Sequence, residues 1–261
     1  MQYFTKLFSS RGVRAAPVAT LGRGLQLFAL IAFKKGAVIS VPFGGRSFRF
    51  NYVHGKAREG GRGLFLFREY IEDLMAHGDG FLRVGDVVID GGANQGVFTT
   101  AFASYVSPNG KVIAIEPMEY AVQRIKGNVA LNGLSDQVVV YQNALSNDAG
   151  TATLDLSLGV GPASITNDYG GKETMDVETK TIDQIVEEQK LDHVDFIKLD
   201  IEGAELKALL GAAATLAKFK PTVCLEISTG GEYGSERLAH DHMMTLGYTA
   251  FEFEDGTLIP L

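Results

Sequence analysis

From residue 85 onward, short apolar runs alternate with segments of helical periodicity. Strand-like runs occur at residues 87–90, 112–116, 138–142, 194–200 and 222–227, and helical segments at residues 97–105, 120–132, 204–219 and 236–246. Strands that read as nearly continuous apolar runs are buried on both faces, which is typical of parallel sheets covered by helices. The pattern therefore predicts an α/β fold with a doubly wound, mostly parallel sheet.

Two stretches interrupt this alternation. Residues 150–181 hold a β-rich piece (151–156), a loop rich in Gly and Pro (157–171) and a second strand-like run (177–181). Loops of that length are usually functional or disordered, so residues 157–171 are predicted to form a mobile lid. Residues 248–259 have a hairpin pattern around Asp255-Gly256, which we expect to close one edge of the sheet in antiparallel fashion.

The first 80 residues have a different character. Residues 1–35 show helical spacing of apolar positions, and two β-rich runs, 37–43 and 46–52, flank Gly44-Gly45 in a hairpin pattern. A Gly-rich stretch then leads to a helix near residues 65–77. We expect residues 1–80 to form a helical and β-hairpin cap, and residues 81–261 to form the ligand-binding domain.

The amino-acid composition excludes several classes of protein. With 261 residues, 46% of them apolar, the chain can bury a sizeable core. Its single Cys excludes a disulfide framework and a Cys-rich zinc module, and it fits a reducing, cytoplasmic setting. The net charge of −7 argues against an extended basic surface, so no nucleic-acid partner is expected.

Charge is distributed unevenly along the chain. Residues 1–58 carry ten Lys and Arg and no Asp or Glu, whereas the rest carries 14 basic and 31 acidic side chains, a net −17. The N-terminal segment therefore either binds an anionic partner, such as a membrane surface, or packs on the acidic remainder of the chain. An Arg-rich, acid-poor start is also typical of organellar transit peptides. A secretory signal is not expected, because the most apolar run, 25–33, is followed by Lys34-Lys35 rather than by a cleavage site.

Candidate chemistry appears where the first predicted parallel strand ends. The run Val87-Val-Ile-Asp-Gly-Gly-Ala-Asn-Gln-Gly96 places an acid before a glycine-rich turn, and ligands bind at the carboxyl ends of parallel strands. Ala93 stands where a dinucleotide-binding fingerprint needs its middle glycine. The Asp90 carboxylate repels a pyrophosphate and suits a ligand with an ammonium and a sulfonium, which describes S-adenosylmethionine. Glu116 ends the next strand, where an acid can accept both ribose hydroxyls.

At these motifs the sequence resembles the FkbM-type family of S-adenosylmethionine-dependent methyltransferases. The resemblance implies a class I methyltransferase, with a Rossmann-like, mostly parallel seven-stranded sheet and S-adenosyl-L-methionine as cofactor. Gly91 stands where the family usually has an aliphatic residue, and we expect this to loosen the loop without removing a contact. The matching pieces follow in order over residues 85–227: Val88-Ile-Asp-Gly-Gly-Ala-Asn-Gln-Gly96, Ile115-Glu-Pro117, Asn143-Ala-Leu-Ser146, Thr181-Ile-Asp183, Val194-Asp-Phe-Ile-Lys-Leu-Asp-Ile-Glu-Gly-Ala-Glu205 and Leu210-Gly-Ala212.

The resemblance also implies which residues hold the donor. Asp90 and the loop 92–96 would hold its methionine end, Glu116 its ribose, and Asn143 and Ala144 would border the adenine. Asn143 is equally well interpreted as a turn residue. The full set of expected donor-binding residues is Asp90, Gly91, Gly92, Ala93, Asn94, Gly96, Glu116, Pro117, Asn143, Ala144 and Asp200.

Catalytic candidates lie around the end of the fourth predicted strand. Asp200 ends this strand beside the expected sulfonium position, and Lys198 shares its face. A lysine in an apolar strand needs an acidic partner, for which Glu202 and Glu226 are the candidates. A hydroxyl acceptor also benefits from a general base, and His54, Asp200 and Glu202 are the candidates. We expect no metal ion.

The leading hypothesis is O-methylation of a hydroxyl on a small-molecule or carbohydrate-type acceptor, because the resemblance implies it. The cap would then select the acceptor. One alternative is methylation of nitrogen on a protein or small molecule. Another is a catalytically inactive methyltransferase fold that acts as a binding module, against which the intact Asp90, Gly92, Gly96, Glu116 and Asp200 argue. The oligomeric state is left open.

Overall fold

The apolar runs and helical segments of the sequence fold as alternating strands and helices. The computed structural model describes residues 11–53, 61–156, 174–225, 235–254 and 257–261. The strands are β1 (Ala37–Phe43), β2 (Arg46–Tyr52), β3 (Val87–Gly91), β4 (Lys111–Ile115), β5 (Val138–Tyr141), β6 (Ala144–Leu145), β7 (Gly150–Asp155), β8 (Thr174–Lys180), β9 (Phe196–Leu199), β10 (Thr222–Leu225), β11 (Phe251–Glu254) and β12 (Thr257–Pro260).

Helices occur in four of the five described ranges. They are α1 (Arg11–Ala15), α2 (Pro17–Ala32), α3 (Arg62–Phe67), α4 (Asp73–His77), α5 (Val97–Val106), α6 (Glu119–Leu131), α7 (Ile182–Glu188), α8 (Glu205–Leu210), α9 (Ala213–Phe219) and α10 (Ser235–Thr245), with 3-10 turns at Arg68–Ile71 and Gly78–Phe81. Within the described ranges, no helix is both long and apolar enough to cross a bilayer.

Five strands form a parallel sheet in the order β10-β9-β3-β4-β5. From the central strand β3 the chain continues to β4 and β5 on one side. It later returns to β9 and β10 on the other side. Ligands bind outside the carboxyl ends of such strands, where the strand order reverses. The ends of β3, β4 and β9 therefore define the place to look for a site.

Alternate side chains of this sheet enter two separate hydrophobic cores. Val88 of β3 and Phe196 of β9 pack with α5, α6 and the N-terminal hairpin. Ile89 and Ile197, one residue further along each strand, pack with helices α7 to α10. Helices thus cover both faces, which confirms the predicted doubly wound α/β fold and explains why the strands read as continuous apolar runs.

The number of strands in the sheet differs from the expected seven. Among the described residues the central sheet has five strands, and β6-β8-β7 form a separate small sheet. The terminal strands β11 and β12 pair with each other instead of extending the sheet edge. Phe253 of β11 instead contacts Phe81 and His77, with ring centroids 6.0 and 5.9 Å apart. The expected lid at residues 157–171 lies outside the described residues.

The N-terminal hairpin is built into the first core. β1 and β2 pair antiparallel, and the alternate residues Phe43, Phe48 and Phe50 are buried. The Phe43 ring meets Phe102 of α5 edge-on, with centroids 6.0 Å apart. The Arg46 guanidinium donates to the Ser104 carbonyl at 2.8 Å. Residues 37–52 therefore share a hydrophobic core with the domain that was expected to begin at residue 81.

The helix predicted over residues 204–219 is two helices, which meet at Gly211. A Cβ on Gly211 would lie 2.2 Å from the Ser146 carbonyl oxygen. The Asp183 carboxylate caps α9, because it accepts hydrogen bonds from the N–H groups of Ala214 and Thr215 and from the Thr215 hydroxyl, at 2.6 to 2.9 Å. Three of the segments that resemble the FkbM-type family, residues 143–146, 181–183 and 210–212, therefore meet here. Their contacts connect β6, α7 and α9.

Candidate active site at the carboxyl end of the sheet

The loop from β3 to α5 lies against the end of β9. Gly92 has φ +73° and Asn94 has φ +47°. A Cβ on Gly92 would lie 1.8 Å from the Asp200 carbonyl oxygen, so only glycine fits. The N–H groups of Gly92 and Ala93 both donate to the Ile115 carbonyl, at 3.0 and 3.1 Å. The loop is therefore fixed between the ends of β4 and β9.

The loop also packs closely at the glycines on either side of it, Gly91 and Gly96. A Cβ on Gly91 would lie 2.7 Å from side-chain carbons of both Leu145 and Leu199. An aliphatic side chain at this position would require the ends of these leucine side chains to shift. That Gly91 loosens the loop stays a prediction. Gly96 has φ +79°, and a Cβ there would lie 3.0 Å from Ile125 Cα, so α5 starts close against α6.

Glu116 holds the loop with both carboxylate oxygens. Oε2 accepts the Asn94 N–H at 2.9 Å, and Oε1 accepts the Met118 N–H at 3.0 Å. Burial raises the pKa of Glu116, and the two N–H groups oppose the rise. A carboxylate offers about four lone-pair sites, so acceptor capacity remains beside these bonds. The carboxylate is thus oriented by the loop and can accept hydroxyl groups of a ligand.

Lys198 lies between two carboxylates. The parallel register of β3 and β9 places it beside Asp90. Its Nζ lies 4.0 Å from Asp90 Oδ1 and 3.1 Å from Asp200 Oδ2. The sequence suggested Glu202 or Glu226 as partner, and the structure instead assigns Asp200 and Asp90. The register sets the pairing with Asp90, and Asp200 lies two residues further along the chain. Glu226 lies outside the described residues.

The two carboxylates differ in access. Asp90 is fully buried, and its Oδ2 accepts a hydrogen bond from the Thr99 hydroxyl at 2.5 Å. Its Oδ1 is buried without a hydrogen-bond partner among the described residues. The Asp200 side chain is 29% exposed. A ligand can therefore reach Asp200, whereas Asp90 contacts Lys198 from the buried side.

The pKa shifts follow from this burial. Burial raises the pKa of Asp90, and Lys198 and the Thr99 hydroxyl oppose the rise. Burial alone would lower the pKa of Lys198, but Asp200 and Asp90 outweigh it and the pKa is raised. The Lys198 ammonium therefore stays charged at neutral pH.

Glu72 adds a third carboxylate that sequence reasoning missed. It directly precedes α4, and its charge acts on Lys198, Asp200 and Asp90. Burial raises the pKa of Glu72 and Lys198 opposes the rise, although the side chain remains accessible to solvent. Both observations fit a carboxylate at the edge of the site, surrounded by protein and open to a ligand. The sequence predicts an unbroken helix over 65–77, in which Glu72 has no distinguishing signal.

The predicted adenine-side residues lie after β5. Asn143 and Ala144 are buried, and Asn143 Nδ2 lies 3.5 Å from the Glu178 carbonyl oxygen. This contact with β8 fits the interpretation of Asn143 as a turn residue. Pro117 is half-buried next to Glu116. Contact of these residues with adenine stays a prediction.

The remaining candidates are less constrained. Glu202 is exposed, in the turn after β9, with φ +53°, and His54 lies outside the described residues. The Glu205 carboxylate accepts the Ile201 N–H at 3.0 Å at the start of α8, where negative charge is favourable. Among the residues described, no three His, Cys, Asp or Glu side chains are placed to hold a metal ion.

A parallel sheet with an acid–glycine loop after β3 and a ribose-type acid after β4 defines an α/β enzyme of the class I methyltransferase type. A model of the methyltransferase FkbM domain matches residues 90–253, which is more than half of the chain. The chain belongs to this family. The protein is therefore an S-adenosylmethionine-dependent methyltransferase, as the resemblance implied.

Similar proteins are known from several organisms. Methyltransferase sdnD of Sordaria araneosa is 27% identical over 177 residues, covering 56% of this chain and 68% of that protein. AMB antimetabolite synthetase AmbE of Pseudomonas aeruginosa is 27% identical over 196 residues, covering 61% of this chain but only 9% of that protein.

Solved structures also resemble the chain. A SAM-dependent methyltransferase from Aquifex aeolicus covers 70% of this chain and 81% of its own, at 17% identity and a TM-score of 0.38. Aeropyrum pernix fibrillarin, with natively bound S-adenosyl-L-methionine, covers 66% and 60%, at 10% identity and a TM-score of 0.41.

The residues of the site fit this donor. S-adenosylmethionine carries two positive groups, an ammonium and a sulfonium, and one negative group, a carboxylate. Asp200, Glu72 and Asp90 outnumber Lys198, the one cation of the site among the described residues, so the site is complementary in charge. Glu116 supplies oriented acceptors for ribose hydroxyls. The buried Oδ1 of Asp90 accepts no hydrogen bond from the described residues and lies 4.0 Å from Lys198 Nζ.

Proposed function

We propose that the protein transfers the methyl group of S-adenosylmethionine to a hydroxyl oxygen of a small-molecule or carbohydrate-type acceptor. The observation that carries the proposal is the solvent-accessible Asp200 carboxylate at the end of β9, held by Lys198. The accessible carboxylate of Glu72, from the N-terminal segment, interacts electrostatically with the same charges. A hydroxyl is a weak nucleophile, and a base that takes its proton accelerates transfer by about 10²–10⁴-fold. A carboxylate at the edge of the site is suited to that task.

Different residues of the chain hold the donor and orient the acceptor. Glu116 and the loop 92–96 hold the donor, which supplies an already activated methyl group. Asp90 is a positioning residue, because it holds Lys198 from the buried side. Lys198 in turn fixes the Asp200 carboxylate through a 3.1 Å ion pair. Such positioning supplies up to about 7–11 kcal/mol of the barrier reduction in well-oriented reactions.

Asp200 and Glu72 have different roles in this proposal. The ion pair with Lys198 stabilises the charged form of Asp200, which suits it to orient the acceptor hydroxyl. Burial raises the pKa of Glu72, and its carboxylate is accessible to an acceptor. Glu72 therefore receives the proton as the oxygen–carbon bond forms. Roles for Glu202 and His54 as bases stay predictions.

The experiment uses methyl-labelled donor and a cell extract separated into sugar, small-molecule, lipid and protein pools. O-methylation predicts label as a methyl ether in the sugar or small-molecule pool. Label on nitrogen would establish the alternative, since the same carboxylates also accept an ammonium. Donor binding without transfer to any pool would indicate a binding module.

Once the acceptor is known, variants of the site can distinguish the residue that receives the proton from the residues that bind the donor. Glu72→Gln should lower kcat by about 10²–10⁴-fold and leave the Kd for S-adenosylhomocysteine unchanged. Glu187→Gln is the matched control, because it removes an exposed carboxylate of α7 that has no role in the site. Equal rates in wild type and Glu72→Gln would assign the proton to another residue.

Three finer points stay proposals. The segment up to residue 80 contributes Glu72, and we propose that it selects the acceptor. A cytoplasmic location is a prediction from the single Cys. Contact of the basic N-terminus with a membrane surface is a prediction from charge.

A further inference from the structure

One face of α2 carries a row of exposed apolar side chains. Val18, Leu21, Leu25 and Phe28 recur every three or four residues and are 69% to 83% exposed. Phe33, directly after the helix, is 73% exposed. The row from residue 18 to residue 28 extends over about 15 Å. Single exposed apolar residues are common, but a contiguous row marks an interaction surface.

The opposite face of α2 already packs on the protein. Leu27 is 7% exposed and belongs to the first core. The Arg23 guanidinium donates to the Leu66 carbonyl at 3.0 Å. A Cβ built on Gly22 or Gly24 meets no atom of the described residues within 4 Å. The exposed row is therefore not used to attach α2 to the rest of the protein.

The charge around this row is of one sign. Arg14 precedes it, Lys34 and Lys35 follow it, and all three are exposed. Residues 1–58 contain no acidic side chain. Helices that lie in the membrane interface have this composition, with apolar side chains at the headgroup–acyl boundary and cations against anionic headgroups.

The charge around the row favours an anionic bilayer over a protein partner. Exposed cations lie on both sides of the apolar side chains and no acidic residue occurs between them. We infer that α2 docks the protein on an anionic membrane surface, with the row from Val18 to Phe28 inserted at the interface. This docking is independent of the methyl-transfer chemistry.

The test is flotation of the full chain with vesicles of phosphatidylcholine, with and without phosphatidylserine. Wild type should float with the anionic vesicles and less with the neutral ones, and salt should weaken the association. Leu25→Ser should reduce the partition coefficient about tenfold, because it removes a leucine side chain that would be buried in the bilayer in the docked state. Lys34→Glu should reduce it about fivefold or more.

Matched controls distinguish the row from general surface effects. Leu238→Ser changes a leucine of α10 that is 54% exposed, and Lys126→Glu changes an exposed lysine of α6. Both should float like wild type. Binding of S-adenosylhomocysteine by all four variants checks that they are folded.

Three outcomes would overturn the inference. The first is an absence of flotation with either vesicle. The second is flotation that Leu25→Ser leaves unchanged. The third is a dimer in light scattering that Leu25→Ser dissociates while vesicles bind neither form, which would mean that a second copy covers the row.

Discussion

Gly92 and Gly133 both adopt left-handed backbone angles, with φ +73° and +69°, but only Gly92 is crowded. A Cβ on Gly92 meets the Asp200 carbonyl oxygen at 1.8 Å, and one on Gly133 meets no described atom within 4 Å. Gly133→Ala should cost about 1 kcal/mol from backbone strain alone. Gly92→Ala should cost clearly more and abolish binding of S-adenosylhomocysteine. Urea unfolding and titration measure both, and equal losses would contradict the crowding.

Removal of the buried Lys198 side chain should strongly destabilise the fold. Lys198→Met leaves the fully buried Asp90 without its cation, which costs about 3–5 kcal/mol. Without Lys198 the pKa of Asp90 rises further above its unfolded value. A carboxyl with a raised folded pKa destabilises the fold above its unfolded pKa, and protonation relieves this as pH falls.

The loss in Lys198→Met should therefore be larger near pH 8 than near pH 5. Urea unfolding at the two pH values measures it. Lys126→Met, which removes an exposed lysine, should leave stability unchanged at both. A pH-independent loss in Lys198→Met would show that Asp90 does not depend on this cation.

The sequence predicted some site residues and not their partners. Asp90, Glu116 and Asp200 were placed at strand ends, because buried parallel strands read clearly as apolar runs. The partner Asp200 of Lys198 lies two residues further along the chain, but the partner Asp90 depends on the register between β3 and β9, which are more than 100 residues apart. The role of Glu72 depends on a helix break that periodicity does not show. Long-range register and local breaks are tertiary properties, and a single-sequence pattern does not contain them.

At the scale of elements, the cap of α9 is provided by a different helix. Asp183→Ala removes acceptors for two N–H groups and one hydroxyl. The expected loss of unfolding free energy is about 1–2 kcal/mol. Glu187→Ala, on an exposed position of the same helix α7, is the control and should change little. Equal effects in urea unfolding would argue against the cap.

Element boundaries show the same division between local and distant causes. The hairpin β1–β2 was predicted to the residue, because Gly44-Gly45 and the alternating pattern are local signals. The break between α8 and α9 was missed, because its causes, Ser146 and Asp183, lie 65 and 28 residues before Gly211. The terminal hairpin was predicted as an element, but its placement follows from contacts with Phe81 and His77.

At the scale of the molecule, the hairpin and the donor-binding domain share one core. Phe50 of β2 is fully buried in it. Phe50→Ala should cost about 3–5 kcal/mol and lower the midpoint of a single transition, seen alike by far- and near-ultraviolet circular dichroism. Phe33→Ala, at a position 73% exposed, should leave the midpoint unchanged. A separate early transition for residues 37–52 would instead mean an independent cap.

The central claim is that the ends of β3, β4 and β9 bind S-adenosylmethionine, and calorimetric titration of the full chain with that donor tests it most directly. Wild type should bind the donor and not NADH. Glu116→Gln should bind about tenfold to a hundredfold more weakly, because a hydrogen bond to a charged group contributes about 1.5–3 kcal/mol. Glu119→Gln, an exposed neighbour at the start of α6, should bind like wild type. No binding by wild type, or equal affinity in Glu116→Gln, would contradict the account.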